Sequence, residues 1–489
     1  MTIMKKGRFL CNNGDVPIWI ALIPFATLVA ILALVIKCFG ADAINGGSQI
    51  ALIISAAVGA MLSITLCGTG WQRLEEAITE NIHTSASAII ILLLIGAVAS
   101  SWMLSGIVPT MIYYGLKIIH PMLFLGVACI ICAVVSLVTG SSWTTIATVG
   151  VALMGIGENI GYSEGWTAGA IISGAYFGDK MSALSDTTVL ASSAARVPLF
   201  EHIRYMLITT MPSFLISLVV FFIVGACGLH DVEVNTEAFS TALTSTFNIT
   251  PWTLIVPLIT ALLILRRLPA LVTLFATVAM ATIMMLIFQP QIVETIGGSD
   301  SLSAIRAILI TCGSETAIET GNVALNDLVT TGGMGGMLNT IWLILCAMCF
   351  GGVMAGSGMI ASLTRFMMHF AHRPTSTVAT TLTTGILCNL TTADQYISII
   401  ITGNTFQPLY RRRGLEGRLL SRSVEDSATV TSVLIPWNSC GMTQSTVLNV
   451  ATLTYLPYCL FNIISPIMSL VVAAIGYKIY RTPKTPTDE

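Results

Sequence analysis

Charge is what this sequence has least of. Only 9% of its 489 residues are Asp, Glu, Lys or Arg, against about 25% in an ordinary soluble domain. No polar stretch is long enough to form a soluble domain, so the work of the chain is expected inside a membrane. The net charge of -2 offers no basic surface and excludes nucleic acid as a partner. Histidine is scarce, with six in all. His369 and His372 have no Cys or carboxylate beside them, and with Arg365 and Arg373 they read as a basic turn. Catalytic signatures are missing too. There is no Gly-x-Ser-x-Gly and no His-Glu-x-x-His, and the glycine-rich Gly332–Gly336 is not followed by Lys-Ser/Thr. An enzyme is therefore not expected, nor a cofactor. The 12 cysteines are scattered. Cys129-Ile-Ile-Cys132 and Cys346-Ala-Met-Cys349 lie in apolar runs and read as small core residues.

What is present is apolar: 55% of residues are hydrophobic. Uncharged windows of about 19 residues identify an all-α polytopic membrane protein. Spans are expected over about 17–35, 50–66, 86–107, 122–138, 205–225 and 448–477, with two more in 251–288 and one over 337–355. Together with the interrupted runs, the count is about 10–12 hydrophobic segments. Trp71–His83 is amphipathic and reads as an interfacial piece. Lys5, Lys6 and Arg8, Arg266 and Arg267, Arg411–Arg413 with Arg418 and Arg422, and Lys478 with Arg481 assign those ends and turns to the cytoplasm. Arg196, Glu201, His202 and Arg204 read as a boundary. No cleavable leader is expected at the N-terminus. The expected division is a cytoplasmic tail over 1–16, an N-terminal transmembrane half over 17–228, a connecting loop over 229–250, a C-terminal half over 251–477 and a cytoplasmic tail over 478–489. Leu229–Thr250 carries acidic residues without Lys or Arg, which suits an outer loop.

Within this apolar background the polar interruptions stand out. Gly178–Thr188 holds Asp179, Lys180 and Asp186 among Ser182, Ser185, Thr187 and Thr188. A charge at bilayer depth costs about 2.5–3.5 kcal/mol on insertion scales, so it faces a bundle interior or a wet cavity. Earlier in the chain, Thr139–Thr145 breaks another run and contributes Ser141, Ser142 and Thr144. The second half repeats the order. Thr391–Tyr396, with Thr391 and Asp394, is followed by Glu425–Ser432, with Glu425, Asp426 and Ser427, and then by Asn438. Corresponding breaks in two halves point to a transporter site at a repeat interface, where half-helix ends and loosened carbonyls face the cargo. Carboxylates, hydroxyls and carbonyls are hard oxygen ligands, which suit a hard cation. A poorly solvated carboxylate pair can hold a proton or a Na⁺ but disfavours both together. That competition is the simplest basis for cation/proton exchange. Na⁺ is expected at Asp179, Asp186, Asp394 and Asp426, with Lys180 either holding one carboxylate ionised or itself releasing a proton.

The run Ala175–Thr188 closely resembles the signature of the NhaC family of Na⁺/H⁺ antiporters. So do Thr139–Thr145 with Val149–Gly155, Leu199–Arg204, Ala393–Tyr396, Glu425–Ser427 and Leu434–Asn438. The resemblance runs from about Trp102 to about Thr454. It implies inverted repeats with broken helices and re-entrant hairpins, in a secondary transporter of the inner or plasma membrane that carries Na⁺ and H⁺. The family also includes relatives that exchange malate for lactate with Na⁺ and H⁺. The sequence departs from the family pattern at Val189, Ala191-Ser192, Ala355 and Thr402. These positions bear on the substrate more than on the fold. The expected function is a Na⁺/H⁺ antiporter. The alternative is an organic-anion or amino-acid exchanger driven by the same ions. An ion channel fits less well, because channels favour one continuous pore lined by rings of like groups. Expected partners are Na⁺, H⁺, a small organic substrate in the alternative reading, the lipid bilayer and a second copy of the chain in a homodimer.

Overall fold

The computed structural model describes residues 16–39, 46–227, 236–266, 268–320, 325–326 and 329–479. The expected cytoplasmic anchors Lys5, Lys6, Arg8, Arg267 and Arg481 lie outside the described residues, as does the acidic start of the connecting loop. Among the described residues the fold is helical, with one isolated antiparallel bridge, Thr316 to Thr331. The first elements are α1 (Ile18–Phe39), α2 (Gly47–Cys67), α3 (Trp71–Leu104) and α4 (Ile107–Ile118). Then come α5 (Phe124–Thr139) and α6 (Ser142–Thr145), which runs through a π-helical turn, Ile146–Gly150, into α7 (Val151–Ile160). Next are α8 (Glu164–Met181), α9 (Asp186–Ala194) and α10 (Leu199–Cys227). Helices α11 (Thr236–Thr246), α12 (Ile255–Leu265), α13 (Ala270–Phe288), α14 (Pro290–Gly297) and α15 (Ser303–Gly313) follow. The second half continues with α16 (Leu338–Gly356), α17 (Met359–Met368), α18 (Pro374–Thr392), α19 (Gln395–Arg412) and α20 (Gly417–Val424). It closes with α21 (Ser439–Leu448), α22 (Thr452–Tyr455) and α23 (Leu460–Ile475).

Six of these helices are long and apolar enough to cross a membrane, or nine spans if each bent pair counts as one. The helices around the polar breaks come in addition; they are too short or too polar to meet the same criterion. Large apolar side chains such as Leu34, Met61, Leu258 and Phe275 are exposed on the outer surface, as a lipid-facing belt requires. Two expectations change. Trp71–His83 is no separate interfacial piece but the start of the 34-residue α3. The last span is not one helix: Thr452–Tyr458 and Leu460–Ile475 meet at 54°. The connecting loop contains α11 where it is described. Apolar packing joins the two halves. Ile20 and Leu28 of α1 and Leu52 of α2 pack in one core with Leu343 and Phe350 of α16.

The paired breaks are built alike. Gly140 (φ 70°) and Ala393 (φ 58°) each end a helix in the left-handed conformation. Each is followed by an extended N-cap, Ser141 (φ -150°) or Asp394 (φ -138°). The cap accepts from the backbone N–H three residues on, Thr144 at 3.2 Å or Ile397 at 3.0 Å. A hydroxyl four residues past the cap, Thr145 or Ser398, donates to the cap's carbonyl at 2.9 or 2.7 Å. The correspondence continues at the same spacing in the chain. Ser136 Oγ donates to the Ala175 carbonyl at 2.6 Å as Asn389 Nδ2 donates to that of Ala428 at 2.7 Å. Arg196 (φ 57°) matches Asn449 (φ 53°) at the end of each second hairpin. At that spacing Asp179 corresponds to Ser432, and Ser185, before α9, corresponds to Asn438, before α21. The second interruption therefore falls at Ile435–Asn438. Glu425–Thr429, expected to match the Asp179 stretch, is instead a π-helical turn that prolongs α20.

Close helix approach holds these breaks in place. A Cβ on Gly178 would lie 2.7 Å from Ser136 Cβ across the α5–α8 contact, and one on Gly140 would lie 2.7 Å from the Leu184 carbonyl carbon. Both are nearer than atoms tolerate. Gly140→Val adds the left-handed penalty of about 1–2 kcal/mol for a residue with a Cβ. We expect Gly140→Val and Gly178→Val each to lower the detergent melting temperature and the yield of inserted protein. A conservative change on the lipid-exposed face, Leu258→Ile, should change neither. Thermal-shift and membrane-fraction measurements check this.

Candidate functional site

Asp179 lies near the end of α8, where the helix stops at Ser182. Its Oδ2 accepts from the Ser142 N–H at 3.1 Å and from Ser142 Oγ at 2.7 Å. Ser142 is the first residue of α6. Its N–H belongs to the first turn, whose amides have no partner within the helix and attract negative charge. Asp179 is buried. The matching contact in the second repeat has no charge: Ser432 Oγ donates to Gln395 Oε1 at 2.8 Å.

Asp394 caps α19 through Oδ1. Its Oδ2 accepts from Ser439 Oγ at 3.3 Å. Ser439 opens α21, and its N–H donates to the Ala393 carbonyl at 2.9 Å. The two hairpin tips of this repeat are thus bonded together. Tyr396, on the first turn of α19, interacts electrostatically with Asp186, Asp179 and Asp394. Asp186, at the start of α9, is exposed, while Asp179 and Asp394 are buried. The neighbouring Ser185 and Thr187 hydroxyls bond to each other at 3.0 Å.

A second polar group lies beside the first. Lys180 Nζ pairs with Asp426 Oδ1 and donates to Ser465 Oγ at 3.1 Å. Asp426 also accepts from Thr209 Oγ1 at 2.9 Å and from Ser465 Oγ at 2.9 Å. The Arg422 Nε lies 3.9 Å from Asp426 Oδ2. Lys180, Asp426 and Arg422 are all fully buried. Asp426 is therefore held by two cations and two hydroxyls, apart from the Ser142–Asp179 and Ser439–Asp394 contacts. Glu425 is the chain neighbour of Asp426. It is fully buried, interacts electrostatically with Lys180, Asp179 and Asp426, and among the described residues neither of its oxygens has a hydrogen-bond partner.

The remaining expected residues hold the breaks. Ser182 Oγ accepts from the Leu184 N–H at 3.2 Å, and Thr188 Oγ1 donates to the Lys180 carbonyl at 3.1 Å. Thr144 Oγ1 donates to Ser141 Oγ, and the Thr391 and Ser427 hydroxyls donate to carbonyls one turn back. Asn438 caps α21 and reaches the Asn389 carbonyl at 3.2 Å. Among the described residues no three His, Cys, Asp or Glu side chains form a group able to hold a metal ion. The four aspartates thus do not gather around one point among the described residues.

Sequence reasoning assigned Arg422 to a basic cytoplasmic loop. The structure instead buries it in α20, one turn before Asp426, with its guanidinium 4.7 Å from the Tyr205 ring. The i, i+4 spacing of Arg422 and Asp426 was the available signal. Thr209, Ser439 and Ser465 were missed because hydroxyls in apolar helices usually bond back to their own carbonyls. Nothing local marks the ones that reach across.

Comparison with known proteins gives the family of the chain. Residues 174–477 match the model of the Na⁺/H⁺ antiporter family. The chain is 36% identical over 410 residues to the Na⁺/H⁺ antiporter NhaC of Bacillus subtilis (strain 168), covering 83% of this chain and 88% of that protein. It is 34% identical to the malate-2H⁺/Na⁺-lactate antiporter of the same organism, covering 89% and 90%. It is 33% identical to the arginine/ornithine antiporter ArcD of Halobacterium salinarum (strain ATCC 700922 / JCM 11081 / NRC-1), covering 94% and 92%. On the breadth of these matches, the chain belongs to the Na⁺/H⁺ antiporter family.

Proposed function

We propose that this multi-pass membrane protein is a secondary active transporter that exchanges Na⁺ for H⁺, with Asp179 and Asp394 as the carboxylates the two ions share. One observation carries the reading: each repeat brings a buried carboxylate to a helix break, Asp179 bonded to Ser142 and Asp394 to Ser439. A buried carboxylate is costly when charged and unpaired. Protonation or Na⁺ removes that cost, so the loaded site crosses more readily than the empty one. Ser142 and Ser439 orient the two carboxylates, and Asp186 is the residue cargo meets first. The homologous NhaC antiporter supports the choice of ions.

Asp426 has a different task in this account. It is the counter-ion of Lys180 and Arg422, and the trio fixes α8, α20 and α23 to one another through Ser465. We assign the face carrying Arg196, Arg411 and Arg418 to the cytoplasm of a cell or inner membrane. The C-terminal end lies on the same face, since Tyr205 Oη donates to the Lys478 carbonyl at 2.8 Å.

A second reading draws on Arg422. Its three guanidinium nitrogens have no hydrogen-bond partner among the described residues, and a carboxylate-bearing substrate would supply one. The malate/lactate and arginine/ornithine relatives handle such molecules. In this reading the protein is a Na⁺- and H⁺-coupled exchanger of organic anions or amino acids.

Purified protein in liposomes containing a pH dye separates the two. Outside Na⁺ alone should alkalinise proton-loaded vesicles. A requirement for malate, lactate, arginine or ornithine would replace the antiporter reading with the exchanger. Asp179→Asn and Asp394→Asn should each abolish Na⁺-driven proton movement while inserting normally; exchange at the wild-type rate in either would remove it from the shared site. Asp426→Asn should instead destabilise the fold by about 3–5 kcal/mol, because it strands buried cations. The double variant Lys180→Met/Asp426→Met should recover part of that loss, as read from denaturation midpoints.

A further inference from the structure

The seam between α9 of the first repeat and α19 of the second has two unlike sides. The helices touch at Ala194 and Gly403: a Cβ on Gly403 would lie 2.6 Å from Ala194 Cβ. Beyond this contact both chains advance to the same place, since Ala195, Arg196 and Val197 line one cavity with Gln407, Tyr410 and Arg411. The two helices therefore run parallel. Eight residues back from the contact, about 12 Å at 1.5 Å per residue, stand Asp186 on α9 and Gln395 on α19. Asp186 is thus level with the start of α19, where Asp394 caps the helix.

One side of the seam is buried. It carries Thr188, Ala191 and Ser192 of α9 and Ile399, Thr402 and Phe406 of α19. The other side is open: Asp186, Val189 and Ser193 of α9 are exposed, and so are Ile400, Asn404, Pro408 and Arg411 of α19. Each set recurs every three or four residues and so shares one face of its helix. The two faces meet in one groove. Each residue turns the helix by about 100°, so in parallel helices the residue before the contact on one and the residue after it on the other swing to the same side. Ser193 and Asn404 stand in that relation to Ala194 and Gly403.

The composition of the groove tells what fills it. On α10 every exposed position from Leu207 to Ile223 is apolar: Leu207, Met211, Leu215, Ile216, Val219 and Ile223. That face suits lipid. The groove instead exposes a carboxylate, a hydroxyl, an amide and a guanidinium, groups that hydrocarbon does not solvate. One end of it is Asp186. The other opens at the cavity of about 450 Å³ between the α9–α10 corner and the α19–α20 turn. Arg196, Arg411 and Arg418 line that cavity together with Glu201 and Glu416, so its charges are of both signs.

We propose that the α9–α19 groove is the water-filled path between the cytoplasm and the cargo site, with Ser193 and Asn404 as its polar lining between Arg411 and Asp186. This rests on the reading of Asp179 and Asp394 as the cargo site. A hard cation that sheds part of its hydration shell needs oxygen ligands in its place. The Ser193 hydroxyl and the Asn404 amide oxygen supply them, one from each repeat, before the cation meets Asp186. Because one wall belongs to each repeat, a shift of α9 against α19 would open or close the path.

Thiol labelling tests this. Ser193→Cys and Asn404→Cys are made separately in the full chain, with Leu215→Cys on the apolar face of α10 as the control. Inside-out membrane vesicles are treated with a cationic methanethiosulfonate, and mass spectrometry reads the modification at each introduced thiol. The reagent attacks the thiolate, which forms in water and not in hydrocarbon, so both groove positions should react on the order of 100-fold faster than the control. Modification should also remove most of the exchange that each variant shows before treatment. Groove thiols that react no faster than Leu215→Cys would put this side of the seam in lipid or against another protein, and would overturn the proposal. Complete modification that leaves exchange intact would overturn it too, since the groove would then be wet but unused. Two positions on separate helices keep the test decisive should one variant not reach the membrane. Labelling needs no Na⁺, so wild-type protein without Na⁺-driven proton movement would defeat the antiporter reading while the labelling rates still decide whether the groove holds water.

Discussion

A helix interrupted inside a membrane exposes peptide groups that lipid cannot satisfy. The structure depends on how these are met. At both breaks the same kit appears: a left-handed residue, an extended N-cap and a hydroxyl returning to the cap carbonyl. Because Ser141 and Asp394 do the same capping work, the carboxylate in the second repeat costs the fold nothing extra in geometry. It adds a charge where the first repeat has a hydroxyl. The first repeat places its own charge, Asp179, where the second has Ser432. Duplicated architecture with exchanged charges places a buried carboxylate at a helix break of each repeat.

A second electrostatic feature lies close by in the sequence. Lys180 is adjacent to Asp179 in sequence, yet its side chain pairs with Asp426. Asp179 is thereby left to the Ser142 backbone and hydroxyl. Arg422 reinforces the diversion from one helical turn away. Glu425, the chain neighbour of Asp426, is buried in the same region.

Much of this was legible in the sequence. Scarce charge and long apolar runs give the polytopic helical class directly, because bilayer thickness sets the length of a span. The four polar interruptions and their order are visible as strings of Ser, Thr and Asp. Register was not. Glu425–Ser432 carries the acidic residues and so draws the eye, but the chain breaks later, at Ile435–Asn438, where Pro436 and the capping Asn438 stand. The partner of Lys180 was equally hidden. Asp179 and Asp186 are its near neighbours in sequence, whereas Asp426 is brought to it only by packing of α8 against α23 and the π-helical turn. Arg422 and His202 were taken for boundary residues, since basic side chains near turns usually mark the cytoplasmic side. Burial of these two follows from tertiary packing that local pattern does not encode.

The central claim is that Na⁺ and H⁺ compete for the same buried carboxylates. Proton release on Na⁺ addition tests it most directly, using detergent-solubilised protein in a weakly buffered solution with a pH indicator. The account expects Na⁺ to release protons from the wild type, less as the solution is made alkaline and the site is already empty of protons. It expects no such release from Asp179→Asn. Saturable Na⁺ binding without proton release, at any pH, would contradict the shared site and leave the carboxylates with some other role.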